Sequence, residues 1–324
     1  MARTSRSFRT ARWALALVAL AFALMACGGG DDAEPQWPAL EPTTAPATTA
    51  PVCAGGSVTG RAYVLCTAGD APDQGLIVAL HGRGSSGADM QAMTALEVPA
   101  AAAGYAVVYP DGLERSWGDD TFPTDTRPVG DEDVVFLDSL VAALHSDPRI
   151  GDGPVGLVGF SNGAGMALRY AAQRPEAVRA VVSVAGQLPR DPAVRPTGRV
   201  PLLSLHGDAD PIRPFATGMA EAPTRDQGHS TPTLSTPETV AAFAGSEATQ
   251  AAPERSDPDP GDGTQVLTER WSDEDGTRAV LQTLVGGGHT WPSARTALPD
   301  AFGILSHDLD ASAEAVSFVT DGDI

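Results

Sequence analysis

Pro154-Val155-Gly156-Leu157-Val158, then Gly159-Phe160-Ser161-Asn162-Gly163, then Ala164-Gly165-Met166-Ala167-Leu168-Arg169-Tyr170-Ala171-Ala172: the fold is decided in these consecutive residues. The first block is an apolar run of the kind found in a strand covered on both faces. The third block reads as a helix. The turn between them is too sharp for bulky neighbours, so glycines stand on both sides of Ser161. Such a turn pushes the Ser161 hydroxyl out of the sheet edge and onto the helix N-terminus, where free N–H groups carry a partial positive charge. Taken alone, Gly-x-Ser-x-Gly also fits a glycine-rich turn feeding a helix. Its setting and the acid and base candidates downstream favour chemistry at Ser161.

Outward from this turn the chain alternates strands with helices. Residues 75–80 form a continuous apolar strand, which feeds the glycine-rich loop His81-Gly82-Arg83-Gly84-Ser85-Ser86-Gly87. A helix is expected over 88–103, a strand over 105–109, and a polar surface loop over 113–130 with Trp117 in its middle. Asp131 is expected to cap a helix in which Val134, Leu137, Val141 and Leu144 recur at helical spacing. Strands follow at 178–185 and 201–205. Residues 214–263 are poorly patterned apart from a short helix near 237–243. A closing pair of strands over 266–271 and 279–285 precedes a last helix at 310–319. This order implies an α/β fold with a mostly parallel sheet and helices on both faces.

A serine hydroxyl is a weak nucleophile until a base takes its proton, and the base needs an acid to orient it. On a strand–turn–helix elbow, acid and base follow the serine in the order Ser, Asp or Glu, His. Asp210 is the chosen acid, in His206-Gly207-Asp208-Ala209-Asp210-Pro211 directly after strand 201–205. Asp208 competes with it, and Pro211 stiffens the backbone beside Asp210. His289 is the chosen base, in Gly286-Gly287-Gly288-His289-Thr290-Trp291-Pro292 after strand 279–285. His307, also late in the chain, is the rival, with capping or packing as its other reading. His81 and His206 read as structural loop residues. An ordinary imidazole in the base's role loses its proton at about pH 6–7. Oxyanion donors are expected in the backbone N–H groups of Asn162 and Arg83. Trp117 and Trp291 are candidates for a substrate-lining aromatic surface, with buried packing as the alternative for each.

The N-terminal part obeys other rules. Arg3, Arg6, Arg9 and Arg12 precede an unbroken apolar run from Trp13 to Met25, too short for a comfortable membrane span. Residues 1–26 therefore read as an export signal. Leu24-Met25-Ala26-Cys27 is similar to the lipobox of bacterial lipoproteins, which implies a membrane anchor through lipidated Cys27; an ordinary signal with an incidental cysteine is the other reading. Residues 27–52, rich in Gly, Pro, Thr and Ala, read as a flexible tether, leaving 53–324 as one catalytic domain. The chain has no lysine. Without the four signal arginines, 17 arginines face 41 acidic residues, 17 − 41 = −24, which disfavours nucleic acid as a partner. Cys53 and Cys66, in an exported chain, are expected to form one disulfide that pins a first strand near 58–65 to the end of the tether.

Six stretches together resemble the secreted polyhydroxybutyrate depolymerase and feruloyl esterase group of α/β-hydrolases: Leu80-His81-Gly82-x-Gly84-Ser85, Tyr109-Pro110-Asp111-Gly112, Asp133-Val134-Val135-Phe136-Leu137, Gly159-Phe160-Ser161-Asn162-Gly163 with Met166, the loop 206–211, and Gly287-Gly288-His289-Thr290-Trp291-Pro292. They run in family order across about residues 53–320. The resemblance implies a serine esterase with Ser161 as nucleophile, Asp210 as acid and His289 as base, with no metal or organic cofactor and an ester as substrate. Ala164 departs from the family's usual glycine, and 214–263 is divergent. Acyl transfer to an envelope sugar or lipid, and a non-catalytic envelope-binding role, are the rival readings.

Overall fold

The computed structural model describes residues 50–69, 73–121, 130–191, 193–220, 222–223 and 229–322. The expected signal 1–26, Cys27 and the tether up to residue 49 lie outside the described residues.

The main sheet grows from the fully buried apolar runs. Strands β1 (Val52–Val58), β2 (Arg61–Thr67), β3 (Gly75–Leu80), β4 (Tyr105–Pro110), β5 (Val155–Phe160), β6 (Val178–Val184) and β7 (Leu202–Gly207) come first in the chain. A two-residue ribbon, β8 (Ala222–Pro223) with β9 (His229–Ser230), stands apart. Then come β10 (Thr249–Gln250), β11 (Glu254–Ser256), β12 (Gln265–Asp273) and β13 (Gly276–Val285). The spatial order is β1-β2-β4-β3-β5-β6-β7-β13-β12-β10, with β11 also on β12. From β4 to β13 every neighbouring pair is parallel, and the outer pairs are antiparallel.

Successive side chains on a strand point to opposite faces, so each central strand feeds two cores. Leu76, Val78, Leu80, Leu157 and Leu202 pack beneath α3 (Glu132–His145), α4 (Asn162–Gln173) and α5 (Thr236–Ala244). Ile77, Ala79, Val158, Leu203 and Leu205 pack beneath α1 (Gly87–Thr94), α2 (Glu97–Ala102) and α6 (Ala311–Asp321).

Several local expectations are corrected. The strand read near 58–65 is a hairpin: β1 and β2 turn at Thr59-Gly60, where both residues have positive φ (48° and 82°), the backbone of a tight primed turn. Cys53 and Cys66 sit opposite each other in its register and are disulfide-bonded. The single helix expected over 88–103 is two. Ala95 takes the left-handed conformation (φ 46°) and ends α1, while Pro99, which lacks an N–H, sits in the first turn of α2 where that loss is harmless. Asp131 is the N-cap residue of α3, as expected, but its side chain makes no capping hydrogen bond; its carboxylate accepts from Arg169 at 2.7 Å instead. The expected surface loop is buried over 119–121, because Asp119 and Asp120 are paired with arginines underneath.

Candidate active site

β5, β7 and β13 are parallel members of one sheet, so the loops leaving their carboxyl ends share an edge. Ser161 follows β5, Asp210 lies three residues beyond Gly207, and His289 follows β13. Ser161 occupies φ 54°, ψ −114°, a strained conformation for a residue bearing a Cβ. It is held there by its N–H to the Val184 carbonyl (2.8 Å) and its carbonyl to the Gly165 N–H (3.0 Å). The chain packs so tightly that a Cβ on Gly163 would lie 2.2 Å from the Leu80 carbonyl oxygen.

The three candidate side chains converge. Ser161 Oγ is 2.8 Å from His289 Nε2, and His289 Nδ1 is 2.6 Å from Asp210 Oδ2. A carboxylate only accepts, so Nδ1–H donates to Asp210 and Nε2 is left to accept from the serine hydroxyl. Asp210 Oδ1 accepts from the N–H groups of Ile212 (2.7 Å) and Arg213 (2.8 Å). Burial pushes the Asp210 pKa up, but hydrogen bonds from His206 and His289 outweigh it and hold the carboxyl well below the usual carboxylate range. Burial lowers the pKa of His289, against the opposing pull of Asp210. The base loop is pinned by Gly288 N–H to the Ile304 carbonyl (2.9 Å) and His289 N–H to the Phe302 carbonyl (2.6 Å). A Cβ on Gly288 would fall 2.2 Å from that Phe302 oxygen. Asp208 is turned elsewhere, accepting from Gly286 N–H at 2.7 Å. His307 is exposed, and its N–H donates to Asp262.

The loop after β3 lies against the serine: a Cβ on Gly82 would be 3.6 Å from Ser161 Cβ. This carries the backbone of Gly82 close to the serine. His81 props the loop from inside. Its Nδ1–H donates to the Gly82 carbonyl (2.8 Å) and its Nε2 accepts from Gly112 N–H (2.9 Å). That pattern belongs to the neutral ring, in keeping with a pKa lowered by burial. Asn162 Oδ1 accepts from Trp117 N–H, and its Nδ2 donates to the Trp117 carbonyl.

The model of the dienelactone hydrolase family matches residues 61–257, a span that includes Ser161 and Asp210. The chain belongs to the dienelactone hydrolase family. NocK of Nocardia uniformis subsp. tsuyamanensis, named as an esterase, is 40% identical over 275 residues, covering 81% of this chain and 80% of that protein. Feruloyl esterase C of Emericella nidulans is 31% identical over 183 residues, covering 52% of this chain and 61% of that protein. Among solved structures, an acetyl xylan esterase from Aspergillus awamori aligns with a TM-score of 0.49 at 15% identity, covering 74% of this chain and 94% of that one. This member of the dienelactone hydrolase family is a carboxylic ester hydrolase of the serine type, and its substrate is a small-molecule ester.

Trp117 and Trp291 are 2% and 0% exposed, which matches buried packing, the alternative reading for each. Trp117 Nε1–H donates to the His81 carbonyl (3.0 Å) and its ring stacks on Phe136. Trp291 Nε1–H donates to Ser312 Oγ (3.2 Å), and its ring meets Phe160 edge-on. The donor atoms of Cys53, Cys66 and Glu97 fall within 4.8 Å of one another, as a metal site would need; the two sulfurs are bonded to each other instead. His206, read from the sequence as a structural loop residue, touches the acid; its signal is a histidine near the end of strand Leu202–Gly207, four residues before Asp210.

Proposed function

We propose that the chain is an exported serine esterase working through an acyl-enzyme, with Ser161 as nucleophile, His289 as general base and Asp210 as the orienting acid. The observation that carries this reading is the unbroken relay of 2.8 Å and 2.6 Å from Ser161 Oγ through His289 to Asp210. Ser161 Oγ attacks the ester carbonyl carbon as its proton passes to His289 Nε2. The oxyanion is met by the backbone N–H groups of Arg83 and Asn162. Collapse of the tetrahedral adduct breaks the bond to the alkoxy oxygen, which leaves with the proton from His289. Water, deprotonated by His289, then attacks the Ser161 ester and releases the acid. Asp210 holds the imidazole in the Nδ1–H tautomer throughout.

Feruloyl-type esters and hydroxyalkanoate oligomers are the proposed substrate classes, the first supported by relatives named feruloyl esterase C. Residues 1–26 serve as the signal, Cys27 as the lipidated anchor, 27–52 as the tether and 53–324 as the catalytic domain. The Cys53–Cys66 disulfide fits an oxidising compartment. The test has two parts. A fluorophosphonate probe should label the wild type and not Ser161→Ala; an unlabelled wild type overturns the reading. Comparison of kcat/KM for feruloyl, short-chain acyl and hydroxybutyrate-oligomer esters, with and without an acceptor alcohol, identifies the acyl group and separates hydrolysis from transfer.

A further inference from the structure

His206 stands at the end of β7 with its side chain fully buried. Its Nε2 lies 3.1 Å from Asp210 Oδ2 and 3.0 Å from the Arg213 carbonyl oxygen. Neither oxygen can donate, so Nε2 carries the proton. Nδ1 faces Thr236 Oγ1 at 2.7 Å. Thr236 Oγ1 accepts from Gln187 Nε2 at 3.2 Å, which leaves its own hydroxyl proton for His206 Nδ1. Gln187 Oε1 in turn accepts from Thr233 Oγ1 at 2.8 Å, and that hydroxyl accepts from Met219 N–H at 2.7 Å. Every side chain in this series is buried. Each donates toward the next, and the series ends on the oxygen that also receives His289 Nδ1–H.

We infer that His206, oriented by Thr236 and Gln187, is a positioning residue that donates a second hydrogen bond to Asp210 Oδ2 and so sets how strongly Asp210 holds His289. The inference rests on the roles proposed for Ser161, His289 and Asp210. Two imidazoles share one carboxylate oxygen, and each weakens that oxygen as an acceptor for the other. His206 also fixes the carboxylate plane, since Oδ1 is already tied to the backbone of residues 212 and 213. Among the described residues, the charged or titratable neighbours of the pair are His206 on β7, Arg213 and Asp208 on the acid loop, and Asp119, which pairs with Arg213 at 3.0 Å. Of these, His206 donates directly to Oδ2. Taking its N–H away concentrates negative charge on Oδ2. That favours imidazolium at His289 and moves the acid limb of the rate profile to higher pH.

The test is the pH dependence of kcat and kcat/KM for His206→Phe, which keeps an aromatic ring but loses the donor, and His206→Gln, whose amide N–H reaches the same place. In His206→Phe we expect kcat to fall about tenfold to a hundredfold with KM within about twofold. The acid limb should move up by about 0.5 pH unit. His206→Gln should recover kcat to within about threefold of wild type. A folded His206→Phe enzyme with wild-type kcat and an unmoved limb overturns the inference, as does a Gln variant no better than Phe. If the Phe variant does not fold, Thr236→Val decides. Loss of that hydroxyl should move the limb, and the low-field proton resonance of His289 Nδ1–H, in the same direction; neither moving overturns the inference. Ser161→Ala is measured in parallel. Retained activity there rejects the roles themselves, whereas an inactive Ser161→Ala beside wild-type His206 variants rejects the positioning role alone.

Discussion

Asn162 and Trp117 are joined twice: Asn162 Oδ1 accepts from the Trp117 N–H at 2.7 Å, and Asn162 Nδ2 donates to the Trp117 carbonyl at 3.0 Å. The residue after the candidate nucleophile thus clamps the loop that leads from β4 to the buried Asp119. Asn162→Ala keeps the backbone N–H proposed for the oxyanion but orphans a buried peptide donor and acceptor. The expected loss is about 2–4 kcal/mol of stability, read by denaturant unfolding. In the folded fraction kcat should drop about tenfold as the elbow loses its brace, read with a model ester.

Ser161 sits at φ 54°, ψ −114°. Strain of this kind costs about 1–3 kcal/mol and is relieved only by losing the Cβ. Both Ser161→Ala and Ser161→Gly should lose about 10⁴-fold or more in kcat. Ser161→Gly should melt above Ser161→Ala, because the gain from relieved strain exceeds the roughly 0.4–1 kcal/mol of extra chain entropy that glycine carries in the unfolded state. Parallel thermal melts of the two inactive variants check the order; a Gly variant that melts lower means the elbow is not strained.

His289 is buried, which penalises imidazolium; Asp210 pulls the other way and is outweighed, so the ring's pKa lies below the ordinary 6.5. A base works in its neutral form. As pH falls, kcat/KM should therefore hold past 6.5 and its acid midpoint should lie below that value. Stability follows the same sign. The unfolded chain binds this proton more readily, so His289's contribution is full above its unfolded pKa and declines as pH drops toward the folded one. A kcat/KM profile with its midpoint at or above 6.5 contradicts the burial argument.

What was legible in the sequence was whatever is buried on both faces. Runs such as 75–80 announce themselves because apolar residues fill a strand that helices cover on both sides. The Ser161, Asp210 and His289 loops were found because chain order and strand ends constrain them. The β1–β2 hairpin was misread because its first strand is mostly exposed and carries Gly55, Gly56 and Ser57, which look like loop. The burial of 119–121 was missed because its cause is remote: Arg213 lies 94 positions from Asp119. Thr236 and Gln187 gave no signal at all, since their role exists only once β7 and α5 are side by side.

Arg213 and Asp119 form an ion pair at 3.0 Å with side chains 1% and 0% exposed. Thr121 supports it, donating from N–H (3.0 Å) and from Oγ1 (2.6 Å) to the Asp119 carboxylate. Burying two charges costs nearly what their attraction returns, so the pair as a whole contributes little compared with two apolar residues. Breaking it is another matter, because the remaining charge stays buried without its counter-charge at 3.0 Å. Arg213→Met and Asp119→Leu should each lose about 3–5 kcal/mol. The double variant should lose far less than the sum, by a coupling of about 2 kcal/mol or more. Arg213 also gives its N–H to Asp210 and its carbonyl to His206. Both are backbone groups that Arg213→Met keeps; loss of the buried side chain loosens the segment that carries them, so Arg213→Met should lower kcat of the folded enzyme more than Asp119→Leu does. Denaturant unfolding of the full double-mutant cycle, with kcat measured on each variant, tests both statements; additive stability losses would mean that the two side chains do not act as a pair.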